Sequence, residues 1–223
     1  MAVKRVFLFV VALLLFANLS WAGESLFDRA LAAKNSGNWE EALQLFEDCI
    51  AQGERVLDAF WEAGFILLDR GKYRRAFELS ERAIPEFESY LREHPEDHMS
   101  WFRLGYIFEL RSSTGFFKEW ERAKECFEKA LEYSPKNSFY LLHLGYVLYK
   151  MGRGEEAEEV FRGILAEHPM DFEVRYWLAV VLESQGKYRE AVEELRFLQD
   201  HAPQNFSRMK EVERLLKKIE RKG

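Results

Sequence analysis

Two cysteines are the residues best suited to redox or metal chemistry in this 223-residue chain. Cys49 and Cys126 would pair in an oxidising compartment if the fold brought their α-carbons within about 7 Å. They fall on predicted helices two units apart in the periodicity that dominates the chain. Neither has a histidine or a second cysteine at the spacing typical of a zinc site. We therefore expect two small buried thiols rather than a disulfide or a metal centre.

The histidines are the next candidates for chemistry, and they are His94, His98, His143, His168 and His201. Three of them lie just before prolines at predicted helix ends, where an imidazole can meet the last carbonyl groups. A structural role is therefore predicted for all five, in preference to metal binding. The sequence shows no nucleophile with a base, no glycine-rich phosphate loop and no paired-carboxylate site. We expect no catalytic residue, no metal site and no cofactor.

Three prolines set the period of the chain. Pro135, Pro169 and Pro203 fall at equal intervals of 34 residues. Small residues repeat in phase between them: Gly145 with Ala179, Gly152 with Gly186, and Ala157 with Ala191. A fixed period of this length indicates stacked supersecondary units, none of which can bury its apolar face alone.

The segment 138–171 shows what one unit contains. Apolar residues at helical spacing predict a first helix, which ends at Gly152 because glycine readily takes the left-handed conformation. A second apolar stripe predicts a second helix, which ends before Pro169. Gly145 and Ala157 are small where larger side chains would hold the two helices apart. The unit is therefore predicted to be a closely packed helix-turn-helix pair.

The segment 98–137 carries a more specific pattern. It reads Trp101-x2-Leu104-Gly105-x2-Phe108, then Ala123-x3-Phe127-x2-Ala130-x4-Pro135. This resembles the tetratricopeptide repeat, whose pattern is W-x2-L-G-x2-Y followed by A-x3-F and a closing P. The resemblance implies an all-α fold, a right-handed superhelical solenoid of helix-turn-helix repeats. It says much less about function, because this scaffold supports many unrelated activities.

The predicted units are five repeats, at 23–56, 57–97, 98–137, 138–171 and 172–205, and a C-terminal capping helix at 206–223. Two repeats are longer than the template. In the second, Pro85 is expected to kink or interrupt the second helix. In the third, the excess is expected in the turn 111–117, where Phe116 and Phe117 either pack on a neighbouring helix or contact a partner.

Residues 1–22 look like a secretory signal peptide. Lys4 and Arg5 precede an almost wholly apolar run, and small residues stand at the two positions that a signal peptidase reads, with cleavage expected after Ala22. The predicted location is periplasmic or secreted; the alternative is an inner-membrane anchor formed by 6–22. Removing the two basic residues would make the formal net charge of −6 more negative by two. An acidic chain argues against nucleic acid or an anionic membrane as the main partner.

The resemblance also implies a partner-binding surface, because first helices of this family line a concave face through positions 2, 5, 9 and 12. The aromatic residues at these positions are Trp61, Phe65, Phe102, Tyr106, Phe139, Tyr146, Tyr149 and Tyr176. The other residues there are Leu68, Met99, Glu109, Leu142, Glu173, Val180 and Glu183. Aromatic residues dominate binding hot spots, although these rings could instead pack internally or on a second copy. Arg103, His143 and Lys150 could meet an acidic group.

We therefore expect a non-catalytic scaffold or adaptor for protein–protein interaction in the bacterial cell envelope. Its partner would be an apolar helix or peptide that inserts into the aromatic groove. The alternative is a small-molecule or lipid-binding solenoid, because an enclosed aromatic channel could hold an acyl chain. Oligomer formation is compatible with both interpretations.

Overall fold

The structure is a computed structural model that describes residues 24–115 and 117–221. The predicted signal peptide, 1–22, and Phe116 lie outside this described part. The described residues form helices and no strands, which confirms the predicted all-α class. The helices are α1 (Leu26–Asn35), α2 (Trp39–Gln52), α3 (Val56–Asp69), α4 (Tyr73–Glu93), α5 (His98–Ser113), α6 (Trp120–Tyr133), α7 (Ser138–Lys150), α8 (Gly154–Glu167), α9 (Phe172–Ser184), α10 (Tyr188–His201) and α11 (Met209–Glu220).

The chain divides into two compact units, Met1–Glu86 and Phe87–Gly223, whose boundary falls within α4. In the first unit α1 packs on α2, and α2 packs on α3. In the second unit each helix from α5 to α10 packs on its successor in the chain. The first helices of successive pairs, α5, α7, α9 and α11, also contact one another in order. This is the packing expected of stacked helix pairs.

Glycines end the helices as the sequence predicts. Gly152 follows α7 with a φ of 80°, and Gly186 follows α9 with a φ of 77°, both in the left-handed region. The Arg153 N–H then donates to the Leu148 carbonyl at 2.9 Å, which satisfies one of the free carbonyl groups at the helix end. At the other end of α7, the Asn137 side chain accepts from the backbone N–H of Tyr140 at 3.2 Å.

Close crossings within the helix pairs also follow the prediction. A Cβ added to Gly145 on α7 would lie 2.5 Å from the Phe161 ring of α8. Gly105 on α5 has the same relationship to Phe127 on α6, at 2.8 Å. The absence of a side chain lets each phenylalanine ring fill the crossing, and both rings are fully buried. Gly64 in the first unit has no such contact.

Ion pairs repeat along the stack with nearly the period of the sequence. Glu47 pairs with Arg82 in the first unit, 35 residues on, through two nitrogen–oxygen contacts of 2.8 and 3.0 Å. The second unit has the pairs Glu88–Arg122, Glu109–His143, Glu173–Arg208 and Glu183–Lys218. The exposed pairs among these, unlike the buried Glu109–His143 pair, contribute at most about 1 kcal/mol each. Their regularity in the second unit shows mainly that its successive helix pairs stack in a constant register.

Three local predictions need correction. Pro85 does not interrupt α4, which continues to Glu93; burial of Phe87 and Leu91 outweighs the lost backbone hydrogen bond. Residues 111–113 belong to α5 rather than to a turn, because Arg111 is buried and its Nε donates to Glu119 at 2.7 Å. The last helix begins at Met209 instead of 206.

The two cysteines are free and buried, as predicted. Burial raises the pKa of the Cys49 thiol to about 11 and that of Cys126 to about 12. No cluster of histidine, cysteine or carboxylate side chains suited to a metal ion is found within 24–115 and 117–221. In the same ranges, no helix combines the length and apolar character needed to cross a membrane.

Candidate functional site

An aromatic cluster lies between α5 and α7 in the second unit. Its centre is Phe102, whose ring stacks on Tyr140 with centroids 4.8 Å apart and an interplanar angle of 13°. The Phe139 and His143 rings lie 5.1 and 5.3 Å from the same ring. Phe102 is only 5% exposed, so the expectation that it lines an accessible groove is wrong. Phe139, Tyr140 and His143 of α7 cover Phe102, which therefore packs beneath the surface that these residues form.

A buried carboxylate orients the histidine of this cluster. The His143 Nδ1–H donates to Glu109 Oε2 at 2.7 Å, and Glu109 is only 7% exposed. The imidazole also meets the Tyr106 and Phe139 rings edge to face, at 81° and 80°. Burial, together with the negative charge of Glu109, raises the pKa of Tyr106. These contacts fix the ring plane, and Nε2 makes no hydrogen bond to the described part of the chain.

A second aromatic cluster lies between α7 and α9 and is centred on Trp177. The indole meets Tyr146 at 4.8 Å, Tyr176 at 5.4 Å and Tyr149 at 6.4 Å, measured between ring centroids. Its Nε1–H donates to Glu173 Oε1 at 3.0 Å. The three tyrosines are half-buried, and burial raises the pKa of Tyr176. They support one another through Trp177 and still present part of each ring to solvent.

Cations flank this second cluster on two sides. The Lys150 ammonium lies 5.8 Å from the Trp120 centroid and 5.9 Å from the Tyr146 centroid. The Arg208 guanidinium lies 5.0 Å from both Tyr176 and Trp177, and its Nε also pairs with Glu173. A cation over a ring face is attracted by about 0.5–2 kcal/mol, depending on its hydration. The aromatic surface therefore carries positive charge at its edges.

One face of α7 connects the two clusters. The residues at spacings of four, three and four along it are Phe139, His143, Tyr146 and Lys150. Such spacing places side chains in one row along a helix. We call this row the α7 stripe. Phe139 is 53% exposed although its ring contacts the buried Phe102, and the exposed Met99 extends the apolar surface on α5.

The remaining predicted residues lie elsewhere. Trp61 and Phe65 belong to the first unit, where their rings meet edge to face at 4.7 Å and Phe65 is exposed. In the loop after α5, the half-buried Phe117 packs under the Arg111 guanidinium at 4.5 Å. The structure therefore groups Phe102, Tyr106 and Phe139 in one cluster, and Tyr146, Tyr149 and Tyr176 in the other.

Comparison with known proteins decides the family. The sequence pattern of the tetratricopeptide repeat matches residues 27–79, 68–114, 118–169 and 142–206. The chain belongs to the tetratricopeptide repeat family. These matches confirm the family predicted from the motif at 98–137, whereas the division into five repeats with the bounds given above stays a prediction.

Tetratricopeptide repeat proteins resemble the chain in sequence and in structure. It is 25% identical over 156 residues to a TPR repeat-containing protein of Methanocaldococcus jannaschii, covering 70% of this chain and 27% of that protein. It is 30% identical over 120 residues to the peroxisomal targeting signal receptor of Kluyveromyces lactis, covering 53% of this chain and 20% of the receptor. The chain thus spans about a quarter of the length of these relatives.

Two of the solved structures that share the fold illustrate the similarity. TTC0263, a thermophilic TPR protein of Thermus thermophilus, superposes with a TM-score of 0.63 at 19% identity, over 86% of this chain and 97% of that one. YrrB, described as a TPR protein with an unusual peptide-binding site, gives 0.59 at 18% identity, over 80% and 86%. The fold is therefore that of a tetratricopeptide repeat solenoid, as predicted.

The tetratricopeptide repeat framework also explains which site residues the sequence missed. Trp177, Tyr140, Trp120 and Arg208 all contact the predicted aromatics, yet none occupies one of the family positions carried onto this chain. Apart from their large side chains, the sequence did not mark these residues as part of the site. Trp177 directly follows Tyr176, a predicted inner residue. The resulting arrangement can pack against an apolar segment and pair with its polar groups.

Proposed function

We propose that this tetratricopeptide repeat protein is a non-catalytic interaction scaffold that binds an apolar helix or extended peptide on the α7 stripe. Its predicted location is the bacterial cell envelope. The signal peptide would direct export of the chain and would be cleaved after Ala22. The observation that carries the proposal is the position of Phe139. The residue is 53% exposed although its ring contacts that of Phe102, which is only 5% exposed.

A supported, exposed aromatic ring suits binding better than packing. The rings below Phe139 and Tyr146 hold them in place, so a partner loses little side-chain entropy when it packs there. Aromatic residues on a rigid base are typical hot spots, each worth about 2 kcal/mol or more of binding free energy. The tyrosines add hydroxyl groups that can bond to a peptide backbone.

Proteins with this fold provide supporting examples of peptide and protein partners. One structural relative is described as having a peptide-binding site, and one sequence relative is named as a targeting signal receptor. Both facts concern those proteins, and they favour a protein or peptide partner for this one. The α7 stripe offers apolar and polar groups in a row, as a bound helix or strand requires.

The alternative, a lipid or small-molecule carrier, has less support. A cavity of about 560 Å³ beside the end of α7 has Tyr149 as its one aromatic lining residue. Arg153, Glu155, Glu156 and Gln185 supply much of the remaining lining. Burial against such charged groups would be unfavourable for an acyl chain.

A photo-crosslinking experiment tests the proposed surface. The photoreactive residue p-benzoylphenylalanine would replace Phe139 in one variant and Tyr133 in a matched control. Tyr133 is 48% exposed at the end of α6 and lies outside the α7 stripe. On irradiation in an extract of the native cells, a discrete protein adduct should form from position 139 and not from 133. Equal labelling at both positions, or none at 139, would contradict the proposal, and an added mass of lipid size would favour the carrier.

A further inference from the structure

The α7 stripe ends in a lysine that has no carboxylate partner in the described part of the chain. Lys150 is exposed, and among the charged and aromatic groups of the described residues its ammonium contacts only the Trp120 and Tyr146 rings. No described carboxylate lies within ion-pair distance of it. The two rings hold the charge beside the apolar surface rather than out in bulk water.

The carboxylates on α5 and α9, the first helices that flank α7, already have partners within the chain. Glu109 on α5 pairs with His143, while Glu173 and Glu183 on α9 pair with Arg208 and Lys218. Each of these carboxylates is bound by a side chain from the following helix pair. The charge at Lys150 is therefore available to a group outside the chain.

Resting on the function proposed above, we propose that the segment bound by the α7 stripe is acidic as well as apolar. Its apolar side chains pack on Phe139 and Tyr146, and one of its carboxylates pairs with Lys150. The Nε2 of His143, held in place through Glu109, meets a second polar group of the same segment. Lys150 is then the residue that selects acidic over neutral partners, because a carboxylate that binds there forms a charge-assisted bond beside aromatic rings.

The spacing on α7 limits the form of such a segment. His143 and Lys150 lie seven residues apart, or about 10.5 Å along the helix axis. Two polar groups seven residues apart on a bound helix match this distance, as do groups about three residues apart on an extended strand. The apolar side chains between them would then lie over Tyr146.

The net charge of the chain acts against this preference. At −6 it repels an acidic segment at long range, so the attraction must be local to Lys150. Removal of that single charge should consequently leave acidic segments with no advantage. This makes the lysine a sensitive test of the proposal.

The test uses a displayed library of random twelve-residue peptides selected against the full chain. Selected peptides are synthesised in pairs, one with its acidic residues and one with the corresponding amides. We expect the peptides to be rich in acidic and apolar residues, and the amide form to bind wild type about tenfold more weakly. Fluorescence anisotropy should show that this ratio falls below about twofold for Lys150→Met and persists for Lys150→Arg. Lys136→Met, at an exposed lysine just before α7, should keep the wild-type ratio.

Selected peptides without acidic residues, or a ratio that is the same in Lys150→Met as in wild type, would overturn the proposal. Failure of the proposed function looks different. In that case the peptides would bind Phe139→Ala and Tyr146→Ala as tightly as wild type, whatever their charge. If both variants lose affinity while acidic and amide peptides bind equally, the surface is correct and the selectivity is wrong. Failure to select any peptide would count against both.

Discussion

Glu109 and His143 lie 34 residues apart in the sequence and are joined by a hydrogen bond of 2.7 Å between Oε2 and Nδ1. The bond connects the first helices of two successive pairs, and it is the most buried of the ion pairs with this spacing. It ties the stacking of the solenoid to the orientation of an imidazole on the α7 stripe. Structure and proposed recognition therefore depend on the same contact.

Removal of the Glu109 carboxylate should be costly. In Glu109→Leu the Nδ1–H of His143 loses its acceptor, and a buried donor without a partner costs about 1–3 kcal/mol of unfolding free energy. Glu109→Gln keeps an acceptor oxygen and should cost less. Glu47→Ala, which breaks a more exposed pair with Arg82, is the control and should cost under about 1 kcal/mol. Urea unfolding measures all three, and a loss for Glu109→Leu no greater than for Glu47→Ala would contradict this account.

The same substitution at two glycines should have opposite effects. In Gly145→Ala the new methyl group would lie 2.5 Å from the Phe161 ring, and we expect a loss of about 1–3 kcal/mol in unfolding free energy. Gly163, on the exposed side of α8, has nothing within 4 Å of an added Cβ. Gly163→Ala should therefore stabilise the protein by about 0.5–1 kcal/mol through its effect on helix formation. A melting temperature for Gly145→Ala that is no lower than that of wild type would show that the crossing is not close.

Phe102 and Phe139 contact each other, yet we expect their truncation to differ. Phe102→Ala leaves a cavity beneath the stripe and should cost about 3–5 kcal/mol of unfolding free energy. Phe139→Ala removes a ring that is half in water and should cost much less. Chemical denaturation of the two variants gives both values. Similar losses would mean that Phe139 belongs to the core and is not a free surface.

How far the sequence predicts this molecule can be judged from particular residues. Pro135, Pro169 and Gly152 indicate helix ends through local backbone rules, and the structure follows them. The helical state of 111–113 could not be predicted in this way, because it depends on Arg111 reaching Glu119 across a turn.

The candidate site was predictable in outline only. The aromatic positions follow from the repeat pattern, but whether a ring is buried depends on its neighbours from other helices. Phe102 is covered by Tyr140 and His143, neither of which the pattern singled out as aromatic partners. Trp177 organises three predicted tyrosines through contacts that span two helices. The period of the sequence therefore predicts how the helices stack, whereas the burial of each side chain can be read only from the packed structure.

The thiols should be inert in the folded protein. Burial holds the pKa of Cys49 at about 11 and that of Cys126 at about 12, so both remain protonated at pH 9, where about half or more of an unfolded thiol is ionised. Native protein should therefore react with Ellman's reagent at least about a hundredfold more slowly than protein in urea. Rapid reaction of one equivalent without unfolding would show that a thiol is accessible. The urea sample controls for reagent and thiol content.

The affinity of an isolated partner for Tyr146→Ala tests the central claim most directly. The partner is the protein crosslinked from position 139, purified and titrated against wild type, Tyr146→Ala and the control Tyr133→Ala. If the α7 stripe is a binding surface, Tyr146→Ala should weaken the complex by about 2 kcal/mol, roughly thirtyfold, with a melting temperature close to that of wild type. Tyr133→Ala should bind as wild type does. Unchanged affinity together with a large fall in melting temperature would show that the ring serves packing, and would contradict the account.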